Sequence, residues 1–371
     1  MDNLTHSLFG LTLARTPLGR GGRASTIALV LASNAPDIDI VATAGGSAKY
    51  LEWHRGPTHG LPGVIGLGLV AAAIGWLINR KRGSADPAER VSFRRLWIIS
   101  MIGVACHVLM DLPTSYGTRP LSPFAWTWFA QDWEPILDIY LLAILAAGLW
   151  FGRVTGRTAG VSAATARSRN AVLALGLMLV NYGIRATAHH EAVSRARHIF
   201  GAQLPASCPD LPPDSAFEHW PRTTAPVAGD STSRCLVEIA AMPDFLSPFR
   251  WRLIAQLSNA FEVRTIDLLS DTDFATSSDV RIVATHYPNI WTPSVFQAAQ
   301  SSVGQVFLGF SRFPAARSVI AADGATTVRW NDLRFTSETT PNLRERAPNR
   351  FAAIIQLNSN GKVVHERLGS Q

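Results

Sequence analysis

Long apolar runs alternate with short polar segments over the first half of the chain. The clearest run, residues 61–79, contains no charged side chain over 19 residues, which is about the length that a helix needs to cross a bilayer. The same pattern predicts further membrane segments at residues 3–14, 24–44, 96–112, 136–152 and 170–188. The first is short for a span, and Pro36 interrupts the second, so these two could form a partly inserted hairpin. The sequence predicts a membrane α-helical domain of about five to six segments.

After about residue 190 the apolar stretches become short and are bounded by turn residues. Five stretches predict strands, at residues 235–242, 250–257, 261–268, 279–287 and 326–335. Hairpin turns are expected at Ser258-Asn259 and at residues 358–361. Residues 295–302 and 313–324 predict short helices. We therefore expect a soluble α+β domain at residues 234–371, after a membrane domain at 1–190 and an irregular lead-in at 191–233.

Basic side chains between the apolar runs predict the orientation of the membrane domain. Loops 15–23, 80–95 and 153–169 contain three, six and four lysines or arginines, whereas residues 1–2, 45–60 and 113–135 contain none, two and one. Cytoplasmic loops carry an excess of these residues. The second set of loops is therefore expected to face outward, together with the domain after residue 188.

Composition adds two constraints to this picture. The net charge of +7 does not indicate a nucleic-acid-binding protein, because the basic residues lie mainly in the short loops and form no stripe with interleaved aromatics. The aromatic residues of loop 113–135 predict an interfacial belt rather than a platform for substrate. Cys208 and Cys235 both fall in the part expected to be exported, where a disulfide could form.

The predicted topology brings histidines and aspartates from four segments and a loop to one side of the membrane. They are His6, Asp37, Asp39, His54, His59, His107, Asp111 and Asp138. Ionisable residues within or beside membrane spans are costly and by default indicate function. Each one also has a simpler explanation, such as an interfacial histidine or an aspartate at the start of a helix. Their coincidence at one depth favours a metal site.

The spacings within this set suit metal ligands. His107 and Asp111 are four residues apart, which places both on one face of a helix. Asp2 has the same spacing from His6 and could orient its imidazole. Histidine and aspartate without cysteine suit zinc, with manganese or iron as alternatives. Because seven or eight ligands exceed the needs of one tetrahedral zinc, two or more divalent ions are expected.

Four motifs, MDNLTH, NAPDID, HRGPTH and HVLMD, occur in this order within about residues 1–140, with hydrophobic spans between them. In this the chain resembles the YdjM-type membrane-bound metal-dependent hydrolases, an inner-membrane family grouped distantly with zinc-dependent phospholipase C and P1-type nucleases. The resemblance implies a bacterial inner-membrane location and a metal cluster at His6, Asp37, Asp39, His54, His59, His107 and Asp111. Many relatives have serine where this chain has Gly60, so a hydroxyl group cannot be required there.

The expected function is that of a membrane-bound metal-dependent hydrolase that cleaves a phosphoester of a lipid or membrane-proximal substrate with metal-activated water. Arg55 and Arg119 are candidates to bind the substrate phosphate, with lipid-headgroup contact or salt bridging as their alternative role. The alternative function is a non-catalytic membrane protein, whose structural or sensory metal site presents an exported interaction domain. A metal-dependent protease is a third option, but the chain has no HExxH motif.

Overall fold

The computed structural model describes residues 1–20, 22–81, 91–158, 162–201, 204–209, 218–220, 234–270, 285–336 and 351–369. The chain divides into two compact units. The first contains residues 1–40, 55–187 and 245–248, and the second contains residues 41–54, 188–244 and 249–371. The irregular lead-in predicted at 191–233 is wrong for residues 191–200, which form the end of a helix. Residues 202–203, 210–217 and 221–233 of the lead-in lie outside the described residues.

The first half of the chain is helical. Its helices are α1 Asn3–Arg15, α2 Gly22–Ala32, α3 Ser47–Trp53, α4 Leu61–Lys81, α5 Phe93–Asp111, α6 Ile139–Thr158 and α7 Ala163–Phe200. A 3-10 helix, Ala35–Gly45, follows α2, and a short strand, β1 Trp128–Ala130, precedes α6. Helix α3 and residues 188–200 of α7 belong to the second unit. The carboxylate of Asp2 begins α1 by accepting hydrogen bonds from the backbone N–H groups of Leu4 and Thr5.

Three of the described helices are long and apolar enough to cross a bilayer, namely Leu61–Arg80, Phe93–Asp111 and Ala164–Phe200. A fourth span results if Gly22–Ala32 and Ala35–Gly45, bent by 44° at their junction, count as one. The interruption predicted at Pro36 is thus confirmed. The predicted count of five to six segments is too high for the described residues, because α1 has 13 residues and the apolar part of α6 ends at Val154. At 1.5 Å per residue α1 extends only about 20 Å, less than the hydrocarbon thickness.

Small residues let α2, α4 and α5 approach closely. A side chain at Gly103 of α5 would place its Cβ 2.9 Å from the Cβ of Ala32. A Cβ at Gly75 of α4 would lie 3.0 Å from the carbonyl oxygen of Ala24. Close backbone approach of this kind is how helices associate in lipid, where burial of apolar surface gives little driving force. The contact between Gly103 and Ala32 holds the middle of α5 against the end of α2.

The second unit contains two antiparallel four-stranded sheets. After β2 Glu218–Trp220, the first sheet contains β3 Leu236–Pro243, β4 Arg250–Leu257, β5 Ala260–Asp267 and β6 Thr285–Pro288 in spatial order. The helices α8 Pro293–Ala299 and α9 Ser302–Phe310 follow. The second sheet has the spatial order β10-β9-β8-β7, with β7 Pro314–Ile320, β8 Thr326–Asp332, β9 Ala352–Leu357 and β10 Val363–Leu368. The sheet-rich second part that was expected after the helical part is confirmed.

The turn residues predicted both hairpins correctly. Strands β4 and β5 pair across Ser258-Asn259, and β9 and β10 pair across residues 358–361. The helix predicted at 313–324 is wrong, since β7 occupies this stretch and pairs with β8 from Pro314 to Ile320. Pairing with β8 and burial of Ala315 in the core outweigh the helix propensity of its alanines.

The core of the second unit has two parts. On one side of the first sheet, Ala192, Ala196 and Ile199 of α7 pack with residues of β3, β4 and β5. A second cluster includes Phe261 and Phe313, whose rings meet edge to face at 6.2 Å. Cys208 and Cys235 form a disulfide, so the pairing considered for these two cysteines is present.

Candidate metal centre

The last turn of α5 supplies two adjacent polar side chains. His107 and Asp111 are both fully buried, and Nε2 of His107 lies 3.4 Å from Oδ2 of Asp111, which confirms the shared helix face predicted from their spacing. The Nδ1–H of His107 donates to the backbone carbonyl of Ser33 at 2.8 Å. A carbonyl can only accept, so the proton of a neutral His107 is on Nδ1, and its Nε2 presents a lone pair.

Asp37 and His59 approach the same point from two other segments. Asp37 lies in the 3-10 helix after Pro36, and its Oδ1 is 3.6 Å from Nε2 of His107. His59 ends the HRGPTH turn before α4, and its Nε2 is 3.3 Å from Nε2 of His107. One ligand atom from each of Asp37, His59, His107 and Asp111 lies within 4.8 Å of the others. Imidazole nitrogens and carboxylate oxygens converging in this way suit a divalent metal ion.

His6 lies directly against this group. Its ring stacks on that of His107 with centroids 3.8 Å apart, and its Nε2 is 3.5 Å from Oδ1 of Asp111. Within the described residues, neither ring nitrogen of His6 has a hydrogen-bond partner, and neither has Oδ2 of Asp111. A buried polar atom without a partner costs roughly 1–3 kcal/mol. Metal coordination would satisfy one ring nitrogen of His6 and Oδ2 of Asp111, so the residues present fit a bound metal.

Asp39 stabilises the backbone that positions His59. Its Oδ2 accepts a hydrogen bond from the backbone N–H of Arg55 at 2.7 Å. Arg55 has a φ of 52°, an uncommon left-handed conformation for a residue with a side chain. The same oxygen is 3.8 Å from Nδ1 of His59. Asp39 is thus placed beside the four-residue group rather than within it, as carboxylates that orient metal ligands commonly are.

Arg55 brings a buried positive charge to the site. Its Nη2 lies 3.2 Å from Oδ1 of Asp111, and its Nη1 donates to the carbonyl of Gly117 at 2.7 Å. The guanidinium lies over the ring of Tyr116 at 4.7 Å. Arg119, also buried, is held between the rings of Trp126 and Trp128 at 4.4 and 4.5 Å. Both arginines therefore have fixed positions near the segment that follows α5.

The structure places His54 and Asp138 outside the four-residue group. His54 ends α3, and its ring lies 4.6 Å from that of Tyr50. Asp138 begins α6 by accepting from the backbone N–H of Tyr140, and it also accepts from Arg185 Nε at 2.7 Å and Asn181 Nδ2 at 2.9 Å. Asp2 is engaged at the start of α1 and does not orient His6 as its spacing suggested.

A second buried polar cluster surrounds Asp138. It consists of Glu134, Asp138, Asn181 and Arg185. The sequence contained a signal for it, because Asn181 and Arg185 interrupt an apolar helix in which polar residues are rare. Burial and the adjacent Asp138 carboxylate raise the pKa of Glu134 to about 10. Glu134 is therefore protonated at neutral pH, which leaves Asp138 as the counter-ion of Arg185.

This protonation gives an expected pH dependence of stability. The unfolded chain releases the Glu134 proton above its ordinary pKa of 4.5, whereas the folded protein retains it until about pH 10. The free energy of unfolding should therefore fall as pH rises through this window. Glu134→Gln, whose amide can replace the protonated carboxyl group as a donor, should flatten the dependence of the thermal unfolding midpoint between about pH 6 and pH 9.

The control for that measurement is Glu52→Gln. Glu52 is exposed and pairs with Lys49 on the surface of α3, where an ion pair contributes little to stability. Its replacement should leave the pH dependence unchanged. Equal slopes for the wild type and Glu134→Gln would show that Glu134 is ionised in the folded protein.

Comparison with known proteins places this site within a family. The model of the YdjM inner membrane protein family matches residues 1–192. The chain belongs to this family. The matched region contains every residue of the metal-ligand group, and the match confirms the resemblance seen in the four motifs.

A curated relative is similar to about half of the chain. The chain is 29% identical over 194 residues to the uncharacterized protein YfhP of Bacillus subtilis (strain 168). The aligned region covers 49% of this chain and 52% of YfhP, so the chain spans about half the length of the curated relative it matches. No solved structure matches the chain.

Proposed function

We propose that this member of the YdjM family is a membrane-bound hydrolase that uses divalent metal ions to cleave a phosphoester of a lipid or membrane-proximal substrate. The observation that carries the proposal is the convergence of Asp37, His59, His107 and Asp111, with ligand atoms within 4.8 Å of one another. Ionisable side chains are energetically costly to place in a membrane domain, and such a group by default indicates a functional site.

The donor atoms favour zinc, with manganese or iron as alternatives. The four-residue group can hold one ion, and His6 adds a fifth donor whose ring nitrogens lack partners among the described residues. We propose two or more ions, because these five donors would exceed the needs of one tetrahedral zinc. When bound, such ions lower the pKa of a coordinated water and stabilise negative charge on a phosphoryl group.

The chain itself prepares the ligands for this role. Burial lowers the pKa of His59 to about 4, which keeps the imidazole neutral at physiological pH, as metal binding requires. The bond from His107 to Ser33 directs its Nε2 lone pair toward the group. Asp39 holds the turn that precedes His59.

Arg55 and Arg119 are proposed to bind substrate phosphate. A guanidinium matches two phosphate oxygens with two parallel N–H donors. Arg55 already lies against Asp111, and contact with Tyr116 restrains its orientation. The two tryptophans around Arg119 restrain it likewise. Rigid placement reduces the entropy lost when a substrate binds.

We further propose that the site faces the extracytoplasmic side of a bacterial inner membrane, with the C-terminal unit on that side. The asymmetry of basic residues between alternate loops supports this orientation. The disulfide between Cys208 and Cys235 also supports it, because disulfides persist in oxidising compartments. An alkaline phosphatase fusion at residue 371 should be active in intact cells, and a fusion active only as a cytoplasmic reporter would contradict the orientation.

Metal content and turnover test the function. The full chain, purified in detergent, is expected to contain two or more metal ions by elemental analysis and to release phosphate or a headgroup from a panel of phospholipid and prenyl-phosphate substrates. Chelation should abolish turnover, and added zinc should restore it. Bound metal without turnover on the whole panel would favour the sensory or structural alternative, and a chain without metal would refute both.

A further inference from the structure

A cavity of about 940 Å³ lies within the first unit, away from the metal ligands. It is bounded by the end of α1, the turn that follows, the start of α2, the last part of α6 and the start of α7. Arg15 is nine residues after His6 on α1, which is about 14 Å along the helix. The cavity and the metal-ligand group are therefore separate sites.

Five arginines line this cavity, namely Arg15, Arg20, Arg153, Arg167 and Arg169. Among the described lining residues there is no aspartate or glutamate. Among the residues that the structure describes, only Arg15 of these five has a side-chain hydrogen-bond partner, the carbonyl of Leu149, to which its Nη1 donates at 2.6 Å. Burial lowers the pKa of Arg15, and the charges of Arg153 and Arg167 lower it further. The guanidinium groups thus repel one another across the cavity.

Other lining groups also suit a negatively charged ligand. The helices α2 and α7 both begin at the cavity, where Gly22 and Thr165 line it. The start of a helix carries partial positive charge and favours anions. Thr16 and Ser168 add hydroxyl groups, while Leu11 and Pro17 provide an apolar part of the wall.

We propose that this cavity binds a phosphate-bearing ligand, namely the headgroup of an anionic phospholipid. The apolar part of the wall favours a lipid over a soluble phosphate compound. Arginine pairs with phosphate through two parallel hydrogen bonds, and basic pockets between membrane helices bind such headgroups. The general excess of basic residues in cytoplasmic loops accounts for arginines in these segments. It does not require that five of them converge on one cavity that has no acidic lining residue in the described part of the chain.

Lipid titration of the full chain tests this site. Protein in detergent is titrated with phosphatidylglycerol or with phosphatidylcholine of the same acyl chains, and bound lipid is counted by native mass spectrometry. A parallel arm uses inorganic pyrophosphate. Phosphatidylglycerol is expected to bind at least tenfold more tightly than phosphatidylcholine. The double variant Arg153→Gln/Arg167→Gln should lose at least tenfold of that affinity, and because both side chains are exposed, it should fold normally.

A matched variant removes the same charge elsewhere. Arg94 and Arg95 lie exposed at the start of α5 and do not line the cavity. Arg94→Gln/Arg95→Gln should therefore change the affinity by less than twofold. Pyrophosphate binding with the same dependence on Arg153 and Arg167 would assign the site to a soluble phosphate ligand. Equal losses in both double variants, or no preference for phosphatidylglycerol, would overturn the proposal.

Discussion

Replacing His59 with alanine is expected to remove bound metal and abolish hydrolysis, while the same change at His54 preserves both. Nε2 of His59 lies within 3.3–3.8 Å of donor atoms on His107, Asp111 and Asp37, so its loss opens the group at the centre. Because disturbing a carboxylate that only orients a ligand already lowers metal affinity by about 10–100-fold, losing a ligand should lower it by more than about 100-fold.

His54 makes this comparison informative because it belongs to the same six-residue motif. Both histidines are buried, so the two substitutions remove equal volumes from the interior of the protein. Metal content by elemental analysis, phosphoester turnover and the thermal unfolding midpoint would be measured for both variants. Equal metal loss in both would place His54 among the ligands, as the sequence suggested. Retention of metal by His59→Ala would refute the four-residue group.

Arg185→Met is expected to destabilise the protein strongly without changing the metal site. Arg185 is fully buried in α7, with its Nε 2.7 Å from Oδ2 of Asp138. The substitution leaves the buried Asp138 carboxylate without its counter-ion, which costs about 3–5 kcal/mol. The measurement is the free energy of unfolding in detergent, with metal content as the second readout. Adding Asp138→Asn should restore part of the loss, because it removes the uncompensated charge.

Arg195→Met on the same helix is the control. Arg195 pairs with Glu191 one turn away on an accessible surface, and such pairs contribute about 0.3–0.5 kcal/mol. A small loss in this variant would show that position on α7 alone does not produce the effect. Equal losses in both variants, or no rescue by Asp138→Asn, would contradict a role for the buried pair.

The sequence predicted the elements whose signal is local. Residues 61–79 and 96–112 are long stretches of mainly apolar side chains, and α4 and α5 occupy them. The two hairpins followed from their turn residues. The sequence did not predict how far α7 extends, because the last twelve residues of this helix are mainly polar. They are helical because Ala188, Ala192 and Ala196 pack against a sheet. Strand β7 was missed for a similar reason, since its conformation depends on pairing with β8.

In the candidate site, too, the sequence predicted contacts between residues close in the chain but not contacts between distant segments. Spacing alone placed His107 and Asp111 on one helix face. It could not show that Asp138 pairs with Arg185, 47 residues later in the chain. It also could not distinguish His59, which enters the group, from His54, five residues before it. Spacing identifies which side chains share a surface, whereas the partner of each one depends on how separate segments pack.

The break after α2 positions two of the proposed metal ligands, His107 and Asp37. Helix α2 ends at Ala32, and the chain resumes as a 3-10 helix at Ala35. The carbonyl of Ser33 lies in this gap and accepts the Nδ1 proton of His107, while the change of direction carries Asp37 toward the same imidazole. A continuous helix through Pro36 would bond that carbonyl to the backbone N–H of Asp37 instead. A single irregularity in one segment thus sets both the tautomer of one ligand and the position of another.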